Sequence, residues 1–244
     1  RITRLKSKSF ILKLVFAAVL LALTLPVSAQ NLDDVLDNYI NVLGGKEKLD
    51  SLTTVKMTGK LEAQGYEIPL SITCVHDSGY RFDMEIMGME NYQVANKTEG
   101  WIFMPVQQMK EPEKMDDGQF RSLQTNFNLH GGEFVNYKKN KDIRVEVDGS
   151  DMVNGEPVHK LKVTDKAGDI NYYYIDMKSG RLVKTMKKVW FNGQSLYAES
   201  TYSDFRKTAD GFWFPFSIQT SNGTIVFDKI ETNIDVPDSL FQKQ

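Results

Sequence analysis

The sequence has almost no cysteine, and this removes two ways of stabilising a fold. Cys74 is the only cysteine among 244 residues. Neither an intrachain disulfide nor a cysteine-based metal site can therefore form. A single thiol in an alternating strand pattern is typical of a small buried hydrophobic residue. We expect a chain that is stabilised by its apolar core, with Cys74 inside that core.

Catalytic and metal-binding signatures are also missing. His76, His130 and His159 are isolated in the sequence, whereas a zinc site needs three or four close ligands. No nucleophile elbow, phosphate loop or dinucleotide fingerprint is present. Asp116-Asp117-Gly118 lacks the further spaced oxygens of a calcium loop and is more typical of a helix cap. The sequence predicts a protein that is not an enzyme and uses neither a cofactor nor a metal.

Long hydrophobic runs are absent as well. The longest, Leu14–Leu25, has 12 residues, too few to span a bilayer, which takes about 20. It follows a cationic start without acidic residues and precedes Val27-Ser28-Ala29, small residues that a signal peptidase accepts. Residues 1–29 thus predict a signal peptide that is cleaved after Ala29, and a periplasmic protein that starts at Gln30. An uncleaved anchor is the alternative.

After the predicted signal peptide, acidic residues outnumber basic ones. Five of the 30 Lys and Arg residues precede residue 30, so the remaining chain carries 25 basic against 32 acidic residues, about −7. Binding to nucleic-acid phosphates needs clustered Lys and Arg, and adhesion to anionic lipid needs the same. The charge therefore argues against nucleic acid as a partner and against membrane adhesion by charge alone.

The sequence does contain one amphipathic helix followed by many strands. Apolar residues recur at helical spacing before the stop signal Gly44-Gly45: Leu32, Val35, Leu36, Tyr39, Ile40 and Leu43. From Thr53 to Gly100 the period changes to two. In Tyr80–Ile86 the even positions are large and apolar while the odd positions are charged, which predicts a strand with one buried and one wet face.

A segment without this alternation divides the strands into two groups. Residues 107–140 include Phe120, Leu123 and Phe127 at helical spacing, which predicts a helical insertion. Strands resume at Ile143, and Asn-Gly pairs such as Asn154-Gly155 mark hairpin turns. The pattern predicts one mainly β domain over residues 30–244, with a few helices and about 11 to 12 strands.

Flexible and bulky apolar residues are abundant. Six of the ten Met residues lie between positions 84 and 115, and bulky aromatic residues add to them. These side chains could all fill a core, but together they favour a cavity for a lipophilic ligand. The alternation leaves open which strand faces point inward. The candidate lining of the apolar concavity is Phe82, Met84, Ile86, Met89, Trp101, Phe103, Trp190 and Phe214.

Several short segments resemble the LolA-like family of outer-membrane lipoprotein-sorting carriers. They are Gly100–Pro105, Tyr202–Arg206, Gly211–Phe216, Asn233–Asp235 and Asp238–Phe241. The resemblance implies an incomplete, unclosed antiparallel β-barrel, covered by the N-terminal helix and the central helical insertion. It also implies a non-catalytic shuttle whose concavity receives acyl chains. The chain departs from the family at Asp77-Ser78, where the carriers often have an Arg-Pro pair whose Arg helps to latch the lid.

Two functional hypotheses follow. The first is a periplasmic carrier that binds the acyl chains of lipids or lipoproteins and shuttles them toward the outer membrane as a monomer. Inner- and outer-membrane envelope proteins would be its further partners. The alternative is a non-catalytic protein-interaction module of the cell envelope, which would use a sheet edge and exposed Tyr172, Tyr173 and Tyr174.

Overall fold

Two helices open the part of the chain described by the computed structural model, which covers residues 31–191 and 193–244. They are α1, Leu32–Val42, and α2, Lys46–Asp50. Helix α1 buries Val35, Leu36 and Tyr39, which confirms the predicted stripe. The predicted signal peptide, residues 1–29, lies outside the described residues. No helix of the described ranges is long and apolar enough to cross a membrane.

A single antiparallel sheet forms most of the described chain. Its strands are β1 Thr54–Ala63, β2 Tyr66–Val75, β3 Gly79–Ile86, β4 Met89–Asn96, β5 Gly100–Phe103, β6 Glu113–Lys114, β7 Ile143–Val153, β8 Glu156–Asp165, β9 Ile170–Asp176, β10 Leu182–Phe191, β11 Gln194–Lys207, β12 Trp213–Thr220 and β13 Gly223–Thr232. The described residues thus contain 13 strands, slightly more than expected, and one of them, β6, has only two residues. The sheet is not closed, so the predicted mainly β fold with an incomplete barrel is confirmed.

The sheet consists of two meanders that meet through the last strand. Its order is β6-β5-β4-β3-β2-β1-β13-β12-β11-β10-β9-β8-β7. Strand β13 pairs with β12 on one side and with β1 on the other, where Val55 lies opposite Thr232. The predicted hairpin turn at Asn154-Gly155 is confirmed, because both residues have positive φ angles, 52° and 83°.

The insertion between β6 and β7 lies on the inner face of the β1–β5 half. Its helix α3, Asp117–Gln124, begins with a capping box in which Asp116 and Gln119 satisfy each other's backbone N–H groups. The predicted helix cap is confirmed. Leu123 and Phe127 pack into a cluster with Tyr80 of β3. The insertion therefore covers this part of the sheet.

Cys74 of β2 contacts the same insertion. Its Sγ lies 3.4 Å from the carbonyl oxygen of Asn126, and its side chain is buried as predicted. Burial raises the pKa of the Cys74 thiol to about 12, so the group is neutral and unreactive at physiological pH.

Helix α1 covers the inner face of the other half of the sheet. Val35, Leu36 and Tyr39 share a buried cluster with Phe134 of the insertion and with residues of β7, β8 and β9. The Phe134 ring is fully buried, 4.5 Å from the ring of Tyr173 and 5.7 Å from that of Tyr39. Both covers, α1 and the insertion, thus meet at Phe134.

The outer face of β3 to β5 is covered by the C-terminal segment. A short 3-10 turn, Asp238–Phe241, packs there beside Tyr92 and Val94. The expectation that the charged face of β3 is wet is therefore partly wrong. Arg81 is only 7% exposed, because its guanidinium pairs with Asp83, donates to the Leu240 carbonyl oxygen and stacks on the Tyr92 ring.

Candidate ligand cavity

A cavity of about 280 Å³ lies between the inner face of the sheet and its helical covers. Helices α1 and α2 and the insertion form one side, and strands β1 and β9 to β12 form the other. Much of the lining is apolar, as binding sites for lipophilic ligands require. The apolar lining comprises Leu43, Leu49, Leu52, Met57, Leu129, Phe134, Leu182, Phe205, Phe212, Trp213, Phe214 and Pro215.

A lysine also lines this cavity. The ammonium of Lys187 on β10 donates to Thr125 Oγ1 at 3.1 Å and to Asn126 Oδ1 at 2.9 Å. Desolvation by burial lowers the pKa of Lys187, and the negative charge of Glu133 opposes this effect. The hydroxyl groups of Thr185 and Tyr202 form a hydrogen bond of 3.0 Å on the same lining.

Glu133 belongs to a partly buried hydrogen-bond network beside the cavity. Its carboxylate accepts hydrogen bonds from the hydroxyl of Tyr173 at 2.5 Å and from the amide of Asn171 at 3.2 Å. Burial first, and then this carboxylate, raise the pKa of Tyr173 well above its usual value. Tyr173 therefore stays protonated and fixes the carboxylate.

Arg181 lines the cavity just before β10 begins. Its guanidinium stacks on two aromatic rings, 4.4 Å from the centre of Trp213 and 5.0 Å from that of Phe205. Lys187 lies six positions further along the chain, which corresponds to roughly 20 Å of extended strand. The lining therefore carries two cations at well-separated positions.

Two stacked histidines hold the insertion next to the cavity. The rings of His76 and His130 are parallel within 13° and their centres lie 3.5 Å apart. His76 Nδ1 accepts from the N–H of Leu129, while its Nε2 lies 3.2 Å from Asp77 Oδ2. His130 Nε2 lies 2.9 Å from the carbonyl oxygen of Leu52. The two contacts join the insertion to the turn after β2 and to the segment after α2.

Five of the eight candidate residues lie on the inner face of the sheet. Phe214 lines the cavity directly. Phe82 continues a row across β1, β2 and β3, because it pairs with Ile72, which pairs with Met57 of the cavity lining. Alternation places Met84, Ile86 and its partner Met89 on the same face. All four of these β3 and β4 side chains are half-buried.

The other three candidates lie elsewhere, which corrects the expected grouping. Trp101 and Phe103 pair with Val94 and Tyr92 and pack against the C-terminal segment on the outer face. Alternation along β5 turns these aromatic residues away from the concavity. Trp190 packs against helix α3, where a Cβ on Gly118 would come within 2.6 Å of the indole.

The expected tyrosine interface is also corrected. Tyr173 and Tyr174 are each only 3% exposed, and Tyr172 is half-buried. Tyr173 lies in the inner cluster with α1, and Tyr174 lies in a cluster with Val153 and Val158. The three residues alternate in β9 and therefore cannot form one exposed surface.

Sequence reasoning missed the polar residues of the cavity. In β10, Met186 lies between the polar pairs Lys184-Thr185 and Lys187-Lys188 without regular alternation, so the pattern did not single out Thr185 and Lys187. The signal that could have located them is the amphipathic stripe of α1, whose Tyr39 and Leu43 line the same cavity. Within the described ranges, no cluster of three or more metal-binding side chains is found.

The unclosed sheet, with its inner face covered by α1 and the insertion, defines a LolA-like fold. Among solved structures, the chain is similar to a LolA superfamily protein from Nitrosomonas europaea. The TM-score is 0.52 at 13% identity, over 89% of this chain and 98% of the other. It is also similar to a DUF1329 family protein from Desulfovibrio piger, with a TM-score of 0.54 and 10% identity over 86% and 96%. No protein-family model and no curated protein matches the sequence.

Proposed function

We propose that this protein is a periplasmic carrier that binds the acyl chains of lipids or lipoproteins and moves them toward the outer membrane. The observation that carries the proposal is the largely apolar cavity between the sheet and its helical covers. The LolA-like fold supports the same function. The carrier has no catalytic step, acts as a monomer and exchanges its cargo with membrane proteins of the envelope.

Binding is driven by removal of the acyl chain from water. Each buried methylene group contributes about 0.8 kcal/mol. The cavity alone, at about 280 Å³, lies just below the range for ligand sites, roughly 300–1,000 Å³. The half-buried row of Phe82, Met84 and Ile86 extends the apolar surface along the inner face. A longer chain would pass from the cavity onto this row.

Entry of the chain requires movement of the covers. Tyr39 of α1 donates a hydrogen bond of 2.9 Å to the carbonyl oxygen of Gly131 in the insertion. This bond and the contacts of Phe134 hold the two covers together. Separation of α1 from the insertion would open the cavity while the sheet stays intact.

The test is purification of the exported protein from the periplasm, followed by native mass spectrometry and lipid extraction. A co-purifying acylated species supports the carrier and identifies its cargo class. The delipidated protein is then titrated with the neutral fluorescent probe N-phenyl-1-naphthylamine. A clean apo mass together with no uptake of the probe would refute the carrier, and a stoichiometric protein partner without lipid would favour the interaction module.

A further inference from the structure

Lys187 differs from the lysines that flank it on β10. Lys184 pairs with Glu199 at 2.9 Å, and Lys188 pairs with Asp169 at 2.7 Å. Lys187 makes no ion pair within the described part of the chain, and its two hydrogen-bond acceptors are the neutral side-chain oxygens of Thr125 and Asn126. An ammonium carries three N–H groups, so one remains for a further acceptor.

Lys187 is half-buried, so its ammonium is partly removed from water. Burying a charge without a partner is costly, because the group loses its hydration. The carboxylate of Glu133 acts on Lys187 from beyond ion-pair distance. That carboxylate is already held by Tyr173 and Asn171. An anion that enters the cavity would therefore find an incompletely compensated cation.

We propose that Lys187 binds the acidic head group of a single-chain amphiphile whose hydrocarbon chain lies along the apolar lining of the cavity. The hydroxyl pair of Thr185 and Tyr202 lies on the same lining and offers further polar contacts to the head group. The inference rests on the proposed function for the chain and adds the chemistry of the head. Carboxylate and phosphate share this chemistry, so a fatty acid and a phosphorylated lipid are the two possible sources.

The experiment compares ligands that differ only in their head group. N-phenyl-1-naphthylamine, which is uncharged, is displaced from the full-length exported protein by decanoate, decyl phosphate or decanol, each below its micelle concentration. We expect one of the two acids to bind roughly tenfold or more tightly than decanol. The acid that binds more tightly identifies the source of the head group.

Variants assign this preference to a residue. Lys187→Met is expected to lose the preference for the acid over decanol, measured as the ratio of the two affinities, whereas Lys187→Arg retains it. Lys184→Met is the matched control, because its ammonium pairs with Glu199, and it keeps the preference. Thermal melts of each variant show that it is folded.

The outcomes separate this inference from the proposed function. Equal affinity of the wild type for acid and alcohol overturns the head-group site and leaves the carrier proposal standing. The same holds if Lys187→Met keeps the preference or if Arg181→Met, at the second cation of the lining, removes it instead. Failure of every probe and ligand to bind would overturn both proposals.

Discussion

A glutamate in place of Met84 tests whether the inner face beyond the cavity carries the acyl chain. Met84 is half-buried on β3, opposite Leu70 of β2 and Asn91 of β4. A bound chain would cover the exposed remainder of this side chain. Met84→Glu removes that contact and forces the chain to desolvate a carboxylate. Burial of a whole large apolar side chain contributes about 1.5–3 kcal/mol, and covering the remainder of Met84 contributes a fraction of this. Desolvation of the carboxylate adds about 1–3 kcal/mol, so we expect acyl-chain affinity to fall roughly tenfold or more.

The assay is titration of the purified variant with N-phenyl-1-naphthylamine, alongside thermal unfolding followed by circular dichroism. Met87→Glu is the matched control, since Met87 is 87% exposed in the turn after β3. The same substitution there should change neither binding nor unfolding. Wild-type affinity in a folded Met84→Glu protein would refute the assignment of this face and leave the cavity as the whole site.

Two further predictions concern the helical covers. Phe134→Ala should lower the free energy of unfolding by about 3 kcal/mol. This is near the low end for a buried Phe, because one side of the ring already borders the cavity. The control is Tyr66→Ala, at a site that is 74% exposed, and an equally small fall in melting temperature for both variants would contradict the prediction. Burial lowers the pKa of His76, whose Nδ1 accepts a hydrogen bond from the N–H of Leu129. Neutral His76 therefore stabilises the folded state fully above about pH 6.5, the pKa of an unperturbed histidine, and this stabilisation is lost as the pH falls below that value. His76→Gln should therefore reduce the acid-side fall in melting temperature, leaving the part due to His159, whose pKa burial also lowers; an unchanged pH profile would count against this role.

Local signals were sufficient to predict most of the elements of this fold. The stripe of α1, the cap at Asp116 and the turn at Asn154-Gly155 each depend on interactions between near neighbours in the chain. The burial of Arg81 could not be predicted in this way. It depends on the C-terminal segment around Leu240, which lies 159 residues away in sequence.

The candidate site was predictable only in part, for a related reason. Alternation groups Phe82 with Met84 and separates them from Arg81, but it does not show which group faces the helical covers. Trp101 and Phe103 were selected for their aromatic area, yet their pairing with β4 turns them outward. Lys187 resembles any exposed strand lysine until the insertion is placed over it.

The position of β13 in the middle of the sheet constrains the order in which the chain can fold. Each half of the sheet consists of local hairpins, but the halves are joined only when β13 pairs with β1, which brings Thr232 beside Val55. Contacts of such large sequence separation form slowly, because a long loop must be closed first. The complete sheet therefore cannot assemble before residues 223–232, which form β13, are available to pair with β1, although the hairpins of each half can form earlier.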